Sequence, residues 1–205
     1  VPFPLGRPLG IANDPDFQHR VIAAALALFN SAQGPVLEDF PEDAPTQHTE
    51  SALACPVTFV KPVTTATSWE DRLSDELNML KPWYNLGKRR RNGRTLAGVS
   101  NSSIDEIIQR LATYLDTATL PITDLTWFKH ATEDAKTYYL EAITAQPDDQ
   151  DPDNLQTIFW TQTLLADALV ILSEQLSSAP GLEQVARILV PRKALDRRAN
   201  FSAAE

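Results

Sequence analysis

The sequence predicts a mainly α-helical protein with a few short β-strands, and two observations support this fold class. From residue 68 to residue 190, apolar residues recur every three or four positions, the spacing of a helix with one buried face. The first 62 residues instead hold nine prolines, which disfavour regular helix. We therefore expect a proline-rich extended region with one helix over residues 1–67, a helical body over 68–191, and a loosely ordered tail over 192–205.

The helix expected in the first region begins after Asp14, whose carboxylate can cap a helix that has Pro15 at its first position. Its apolar residues follow helical spacing and form a wide stripe, so we expect this helix to be buried on more than one side. The stripe consists of Phe17, Val21, Ala24, Ala25 and Leu28, widened by Ile22, Leu26 and Phe29.

Three short apolar segments predict the β-strands. Val36–Leu37 lies between Pro35 and an acidic loop, and Cys55–Val60 is bounded by prolines, which places it at the edge of a sheet. Thr95–Val99 follows a basic turn and is short enough for a single strand.

In the helical body, serine caps mark the helix starts. Ser68 with Asp71, and Ser103 with Glu106, have the spacing of a capping box. Pro82 is expected to end or kink the first of these helices, because proline lacks the N–H that a helix interior requires.

Three further helices are expected after Pro121. The first runs from about Asp124 to Ala145. The longest, Asp153–Ser177, is apolar almost all round, which predicts a position in the centre of the fold or against a partner. A short helix from Leu182 stops before Pro191.

Composition disfavours several classes of partner. With 27 acidic and 18 basic residues the net charge is -9, which repels nucleic acids and anionic membrane surfaces. No apolar run reaches the roughly 20 residues that cross a bilayer, and no signal-peptide pattern is visible, so a cytoplasmic location is expected. The chain begins at Val1 rather than methionine, so we expect further sequence upstream.

Motifs for nucleotide loops, zinc-protease helices and nucleophile elbows are absent from the sequence. His19, His48 and His130 fall on separate elements, so no metal site is predicted and no cofactor is assigned. A metal or tetrapyrrole site at His19 or His130 ranks last among the hypotheses. Neighbouring carboxylates such as Glu133 and Asp134 do not share a helix face and are interpreted as solvated charge.

A basic run is the first candidate for substrate or anion binding, because the Asn92–Gly93 turn could arrange its side chains around an anion. The alternative, which we favour, is a solvated turn whose cations pair with the chain's own carboxylates. The candidate residues of this run are Lys88, Arg89, Arg90, Arg91 and Arg94.

Three single residues complete the candidates. Arg7 lies in a proline-flanked loop that would hold its guanidinium ready for a carboxylate; the favoured alternative is a structural arginine that bonds loop carbonyls. Cys55 is the one thiol and the candidate catalytic residue, as a redox partner for an upstream group; the favoured alternative is a packed, unreactive side chain. Asp167 interrupts an apolar helix and is either buried and paired or, as we favour, solvent-facing or interfacial.

Six motifs spread over most of the chain carry a family resemblance: Val1–Gly10, Asn13–Gln18, Gly34–Pro41, Ala54–Phe59, Leu80–Tyr84 and Tyr138–Pro147. With them the chain resembles the later portion of the glycine, sarcosine and betaine reductase component B family, in its short, aerobic-type members. The resemblance implies a reductase in which a cysteine or selenocysteine attacks a substrate bond while partner proteins supply electrons. That nucleophile would lie upstream of Val1, and Cys55 stands in a different context.

We therefore expect part of a thiol- or selenol-dependent reductase-like protein. Arg7 and the Gly6–Gly10 loop would shape the pocket for a small acid substrate, and the helical body would complete a larger α/β protein by docking an upstream chain or partner subunit on Asp153–Ser177. The alternative is a non-catalytic helical subunit that binds a partner protein through the apolar surface of Phe159–Leu176.

Overall fold

The structure, a computed structural model, describes residues 8–11, 13–44, 68–147 and 152–203. The chain divides into two compact units, Val1–Ala52 and Leu53–Glu205, which are treated separately. Within the described ranges the regular secondary structure is helical, as predicted. The helices are α1 (Pro15–Ala27), α2 (Trp69–Arg90), α3 (Ile104–Asp116), α4 (Leu125–Thr144), α5 (Pro152–Gln162), α6 (Leu164–Ser177), α7 (Glu183–Leu189) and α8 (Arg192–Ser202).

The expected strands have different outcomes. Val36–Leu37 lies in an irregular stretch after α1, and Thr95–Val99 lies in an irregular segment between α2 and α3, so neither is assigned as a strand. In the second case side-chain carboxylates, and not a neighbouring strand, accept the backbone N–H groups. The third segment, Cys55–Val60, falls outside the described residues.

The first unit is built around the start of α1. As predicted, the Asp14 carboxylate accepts a hydrogen bond from the Phe17 N–H at 3.0 Å, and Pro15 occupies the first turn. Phe17 and Val21 pack with Ile11 in a small apolar cluster. The residues expected to widen the buried stripe, Ile22, Leu26 and Phe29, are 40%, 58% and 85% exposed, so the prediction that this helix is buried on more than one side is wrong.

The second unit has a core of helices packed side by side, with α2 against α3 and α4, and α6 against α3 and α7. The helical periodicity predicted for residues 68–190 holds in α2, where Leu73, Leu77 and Leu80 are buried. From α3 and α4, residues such as Leu111 and Tyr139 complete the same core.

Helix α2 starts where predicted, with Ser68 accepting from the Asp71 N–H at 3.1 Å, but it does not end at Pro82. It continues to Arg90. Pro82 and Asn78 are both exposed, so the carbonyl that loses its donor lies on the solvent side of the helix. The expected end of the helix at Pro82 is therefore wrong, since α2 continues through it.

The predicted single helix Asp153–Ser177 is also wrong, because it breaks at Thr163 into α5 and α6, which meet at 71°. The Thr163 hydroxyl caps α6 by accepting from the Ala166 N–H at 3.1 Å. The N–H groups of Leu164 and Leu165, the first two residues of α6, have no acceptor within the helix. They donate to the carboxylate of Glu76 on α2 at 2.6 and 3.0 Å. A distant side chain thus satisfies the start of a buried helix.

Most of the apolar residues on α5 and α6 face the core of the chain itself. Phe159, Trp160, Leu169 and Leu176 are all buried there, so they do not form the surface envisaged for partner binding. Among the described residues no single helix has the length and apolar character to cross a membrane, although the bent pair Asn154–Gln162 and Leu164–Ser177 meets both criteria together.

The tail expected to be loosely held instead forms α8, which packs on α5. Arg198 anchors it by donating to the Trp160 carbonyl and by pairing with Asp167 at 2.7 Å. Asp167 is therefore half-buried and ion-paired, which is the alternative that the sequence left open.

We predict that Arg198→Met destabilises the protein by roughly 1–2 kcal/mol, because it removes this ion pair and a hydrogen bond between partly buried groups. Urea unfolding followed by circular dichroism would measure the loss. Arg192→Met, an exposed position on the same helix, is the matched control and should change stability by less than about 0.5 kcal/mol. Equal effects of the two variants would show that α8 is not anchored through Arg198.

Glu76 gives a second prediction, on pH. Burial raises the pKa of Glu76 from 4.5 to about 7, against the opposing effect of its two N–H donors. A pKa raised on folding stabilises the folded state below pH 4.5, and this contribution is lost as pH rises to about 7.

The stability of the wild type relative to Glu76→Gln should therefore fall across this interval, by on the order of 3 kcal/mol. Chemical unfolding at a series of pH values measures the difference, and Asp75→Asn, exposed and adjacent, should give no such slope. If the stability of the wild type relative to Glu76→Gln instead rises with pH, the N–H donors, rather than burial, determine the direction of the pKa shift of Glu76.

Candidate functional site

The candidate site lies where the last turns of α2 approach α4. A Cβ atom on Gly87 would lie 3.0 Å from the Ala145 Cβ and 3.3 Å from the Glu141 carbonyl oxygen, so glycine permits this close approach. One turn earlier, the rings of Tyr84 and Tyr138 stack with centroids 3.7 Å apart. Helices α2 and α4 are thus closely packed along one side of a cleft.

The chain then reverses at the predicted Asn92–Gly93 turn, where both residues have positive φ (54° and 80°). The Gly93 N–H donates to the Lys88 carbonyl at 2.8 Å and closes the end of α2. The irregular segment that follows, residues 95–102, covers the cleft, and we call it the pocket wall.

Glu141 of α4 holds the first half of the wall. Its carboxylate accepts from the Arg91 guanidinium at 2.7 Å, the Thr95 hydroxyl at 2.8 Å and the Leu96 N–H at 2.9 Å. The Thr95 hydroxyl in turn accepts from the Tyr84 hydroxyl at 2.9 Å, which links the wall back to α2.

Asp134, two turns earlier on α4, holds the second half. Its carboxylate accepts from the Gly98, Val99 and Ser100 N–H groups at 2.8, 3.0 and 2.8 Å, and from the Ser100 hydroxyl at 2.6 Å. Burial acts to raise the pKa of Asp134, but these hydrogen bonds outweigh it and hold the pKa below its usual value. Asp134 is therefore a carboxylate at neutral pH.

Between the wall and the two helices lies a cavity of about 240 Å³, here called the Lys88 pocket. Among the described residues Lys88 is the cation that lines it, and Lys88 is half-buried on the last turn of α2. Burial, helped by Tyr84 and Asp105, raises the pKa of Tyr138 to about 12, so its ring carries a neutral hydroxyl. The lining residues are Tyr84, Lys88, Thr95, Ala97, Gly98, Ser102, Ile104, Ile107, Asp134 and Tyr138.

A second cavity, of about 310 Å³, lies between α4 and α7. It is lined mainly by apolar side chains such as Phe128, Val185 and Ile188, with Lys129 and His130 among its polar residues. Of these two cavities, the Lys88 pocket is the one that combines a cation with stacked aromatic rings and a wall held by charged hydrogen bonds, which makes it the stronger candidate.

The structure separates the members of the predicted basic run. Only Lys88 lines the pocket. Arg91 pairs with Glu141, Arg90 donates to the Ala145 carbonyl at 3.2 Å, and Arg94 donates to the Arg91 carbonyl at 3.4 Å. Arg89 is exposed on the last turn of α2. For Arg91 this matches the favoured alternative, in which a cation pairs with one of the chain's own carboxylates.

The other predicted site residues, Arg7 and Cys55, lie outside the described residues. Within the described ranges no cluster of three or more histidine, cysteine, aspartate or glutamate side chains could hold a metal ion.

Sequence reasoning missed Asp134, because the Glu133–Asp134 pair was interpreted as solvated charge. That interpretation is wrong for Asp134, which is 3% exposed, and right for Glu133, which is exposed. Helical spacing contained the signal: Asp134 lies three residues after Ala131 and four before Tyr138, both buried.

We predict that Glu141→Gln loosens the first half of the wall, because a neutral amide cannot replace a carboxylate for both Arg91 and the Leu96 N–H. Hydrogen exchange of the Leu96 amide, measured by NMR, should accelerate at least tenfold, and stability should fall by roughly 1–2 kcal/mol. Glu174→Gln, on an exposed position of α6, is the control. An unchanged exchange rate of the Leu96 amide would contradict the role of Glu141 as an anchor of the wall.

Comparisons of the chain with family models, curated proteins and solved structures gave no match.

Proposed function

We propose that the chain is part of a cytoplasmic, thiol- or selenol-dependent reductase-like protein, and that its helical body binds the carboxylate of a small acid substrate in the Lys88 pocket. The motif resemblance supports the reaction class. The observation that carries the binding role is the position of Lys88, a half-buried cation lining a cavity of about 240 Å³.

Several physical features suit Lys88 to hold an anion. Within the described residues no carboxylate lies within ion-pair distance of Lys88, whereas Arg91 on the same turn is neutralised by Glu141. A charge-assisted hydrogen bond in a partly water-excluded cleft is stronger than one on the open surface.

The remaining lining of the pocket suits a ligand with few heavy atoms. Ile104 and Ile107 contribute apolar surface, and the stacked rings of Tyr84 and Tyr138 contribute a flat aromatic side. The nearby Asp134 charge is already shared among four donors, which reduces its repulsion of a bound carboxylate.

The reaction itself is assigned to an upstream segment that would carry the thiol or selenol. In this division of labour the helical body holds the acid, completes a larger α/β protein and leaves the bond-breaking step to the upstream nucleophile. The participation of Arg7, the Gly6–Gly10 loop and Cys55 belongs to the same proposal.

A second candidate, a non-catalytic helical subunit that binds a partner protein, is favoured by apolar side chains that remain at the surface of the helical body. Leu96 is 82% exposed and Ile188 is 51% exposed. This candidate predicts a complex that forms without any small acid. Light scattering and pull-down from a native extract would detect it.

We predict that Lys88→Met lowers the affinity for small carboxylates at least tenfold, because it removes the cation while keeping the length of the side chain. The measurement is an NMR titration of the labelled protein with acetate, glycine and betaine, following the amide signals of the pocket wall. Acetate tests the carboxylate alone. Glycine and betaine, two acids that appear in the name of the resembled family, add an ammonium group and a quaternary ammonium group.

Arg89→Met is the matched control, since it removes a positive charge from the adjacent exposed position. It should leave the affinity within twofold of the wild type. Equal losses in the two variants would indicate general charge attraction, and the absence of any wild-type response to the three acids would overturn the proposed function.

A further inference from the structure

We infer that Asp134 is the positioning residue of the Lys88 pocket: it holds the pocket wall in the conformation that binds the ligand, so that wall order and ligand binding are coupled. This inference rests on the proposed function and adds to it the residue that controls the shape of the site.

The pocket wall depends on hydrogen bonds to α4 because it has no regular secondary structure and buries few apolar side chains. Residues 95–102 form neither helix nor strand, and the side chains of Leu96 and Val99 are 82% and 57% exposed. Few apolar contacts therefore stabilise the segment, and the hydrogen bonds to α4 carry most of its order.

Asp134 is an anchor that itself lines the pocket. It lines the pocket together with Gly98, whose N–H it accepts at 2.8 Å, and it binds the next two residues in the same way. Glu141 holds the wall seven residues further along α4, at Thr95 and Leu96. Trp127 of α4 adds a third point, since its Nε1–H donates to the Ser102 hydroxyl at 3.1 Å. Of these three anchoring side chains, Asp134 is the one that itself lines the cavity.

Asp134 acts on the ligand through the wall and not by direct contact. A carboxylate has about four acceptor sites, and four donors already occupy those of Asp134. It has no capacity left for a strong hydrogen bond to a ligand. Its effect on binding is therefore indirect, through the backbone of Gly98, Val99 and Ser100.

The test is Asp134→Asn, whose amide oxygen can still accept from Gly98 and Val99 while its NH₂ group faces the Ser100 N–H without accepting from it. In the free protein, the amides of Gly98, Val99 and Ser100 should exchange at least tenfold faster. The affinity for acetate or glycine should fall by about 5- to 150-fold, the usual range of coupling between two equilibria.

Coupling between wall order and ligand binding predicts a further result that a purely structural role of Asp134 does not. Saturating acetate or glycine should restore slow exchange of the three wall amides in Asp134→Asn, because a ligand that requires the ordered wall also stabilises it. Glu133→Gln, an adjacent exposed position, is the control and should alter neither exchange nor affinity. Ser100→Ala removes the 2.6 Å hydroxyl bond to Asp134 and the 3.3 Å bond that the Ser102 N–H donates to the same hydroxyl, and it leaves the three backbone bonds to Asp134 in place. It should give a smaller change in the same direction and serves if Asp134→Asn does not fold.

The outcomes separate the two proposals. If the wild type binds none of the acids, the proposed function fails, and the coupling with it. If the wild type binds and the variants bind equally well despite faster wall exchange, only the role of Asp134 is overturned. Faster exchange that saturating ligand does not reverse would also contradict the coupling.

Discussion

Backbone N–H groups that no helix or sheet satisfies are the constraint on which this helical body depends. Such groups are costly to bury without an acceptor. In the second unit they occur at the start of α6 and along the pocket wall, and in each place a carboxylate from a neighbouring helix accepts them. Glu76 serves α6, while Asp134 and Glu141 serve the wall.

These three carboxylates connect the core to the candidate site. Glu76 projects from α2 and fixes the position of α6 against it, at the point where α5 and α6 meet at 71°. The same α2 ends in Lys88 and stacks its Tyr84 on Tyr138 of α4. Because α4 supplies both carboxylates that anchor the wall, the cavity beside Lys88 is enclosed by elements that are each tied to α2 or α4.

Local signals in the sequence predicted much of this fold. The caps at Asp14, Ser68 and Ser103 each accept from an N–H three residues later, which depends only on nearby residues. The buried stripe of α2 followed from its spacing. The break at Thr163 was missed because one of its stabilising groups, Glu76, lies 88 residues from the Leu164 N–H that it accepts.

The candidate site was predicted less well, for a related reason. The basic run pointed to an anion site, and Lys88 does line a cavity, but the fates of Arg90 and Arg91 depend on acceptors more than 45 residues away. Asp134 was predicted to face solvent because it was considered together with its sequence neighbour Glu133. Its burial follows instead from its position on the face of α4 that carries Ala131 and Tyr138. Long-range partners of polar groups are what the sequence pattern does not contain.

The most direct test of the account is native-state hydrogen exchange of the unmodified protein, read at the amides of Leu96, Gly98, Val99 and Ser100. Although these residues form no regular secondary structure and two have mostly exposed side chains, their N–H groups donate to carboxylates, so they should exchange about as slowly as amides inside α2 and α4. Exchange at the rate of an unstructured peptide would contradict the account, since the wall would then be unanchored and the pocket beside Lys88 would have no fixed shape.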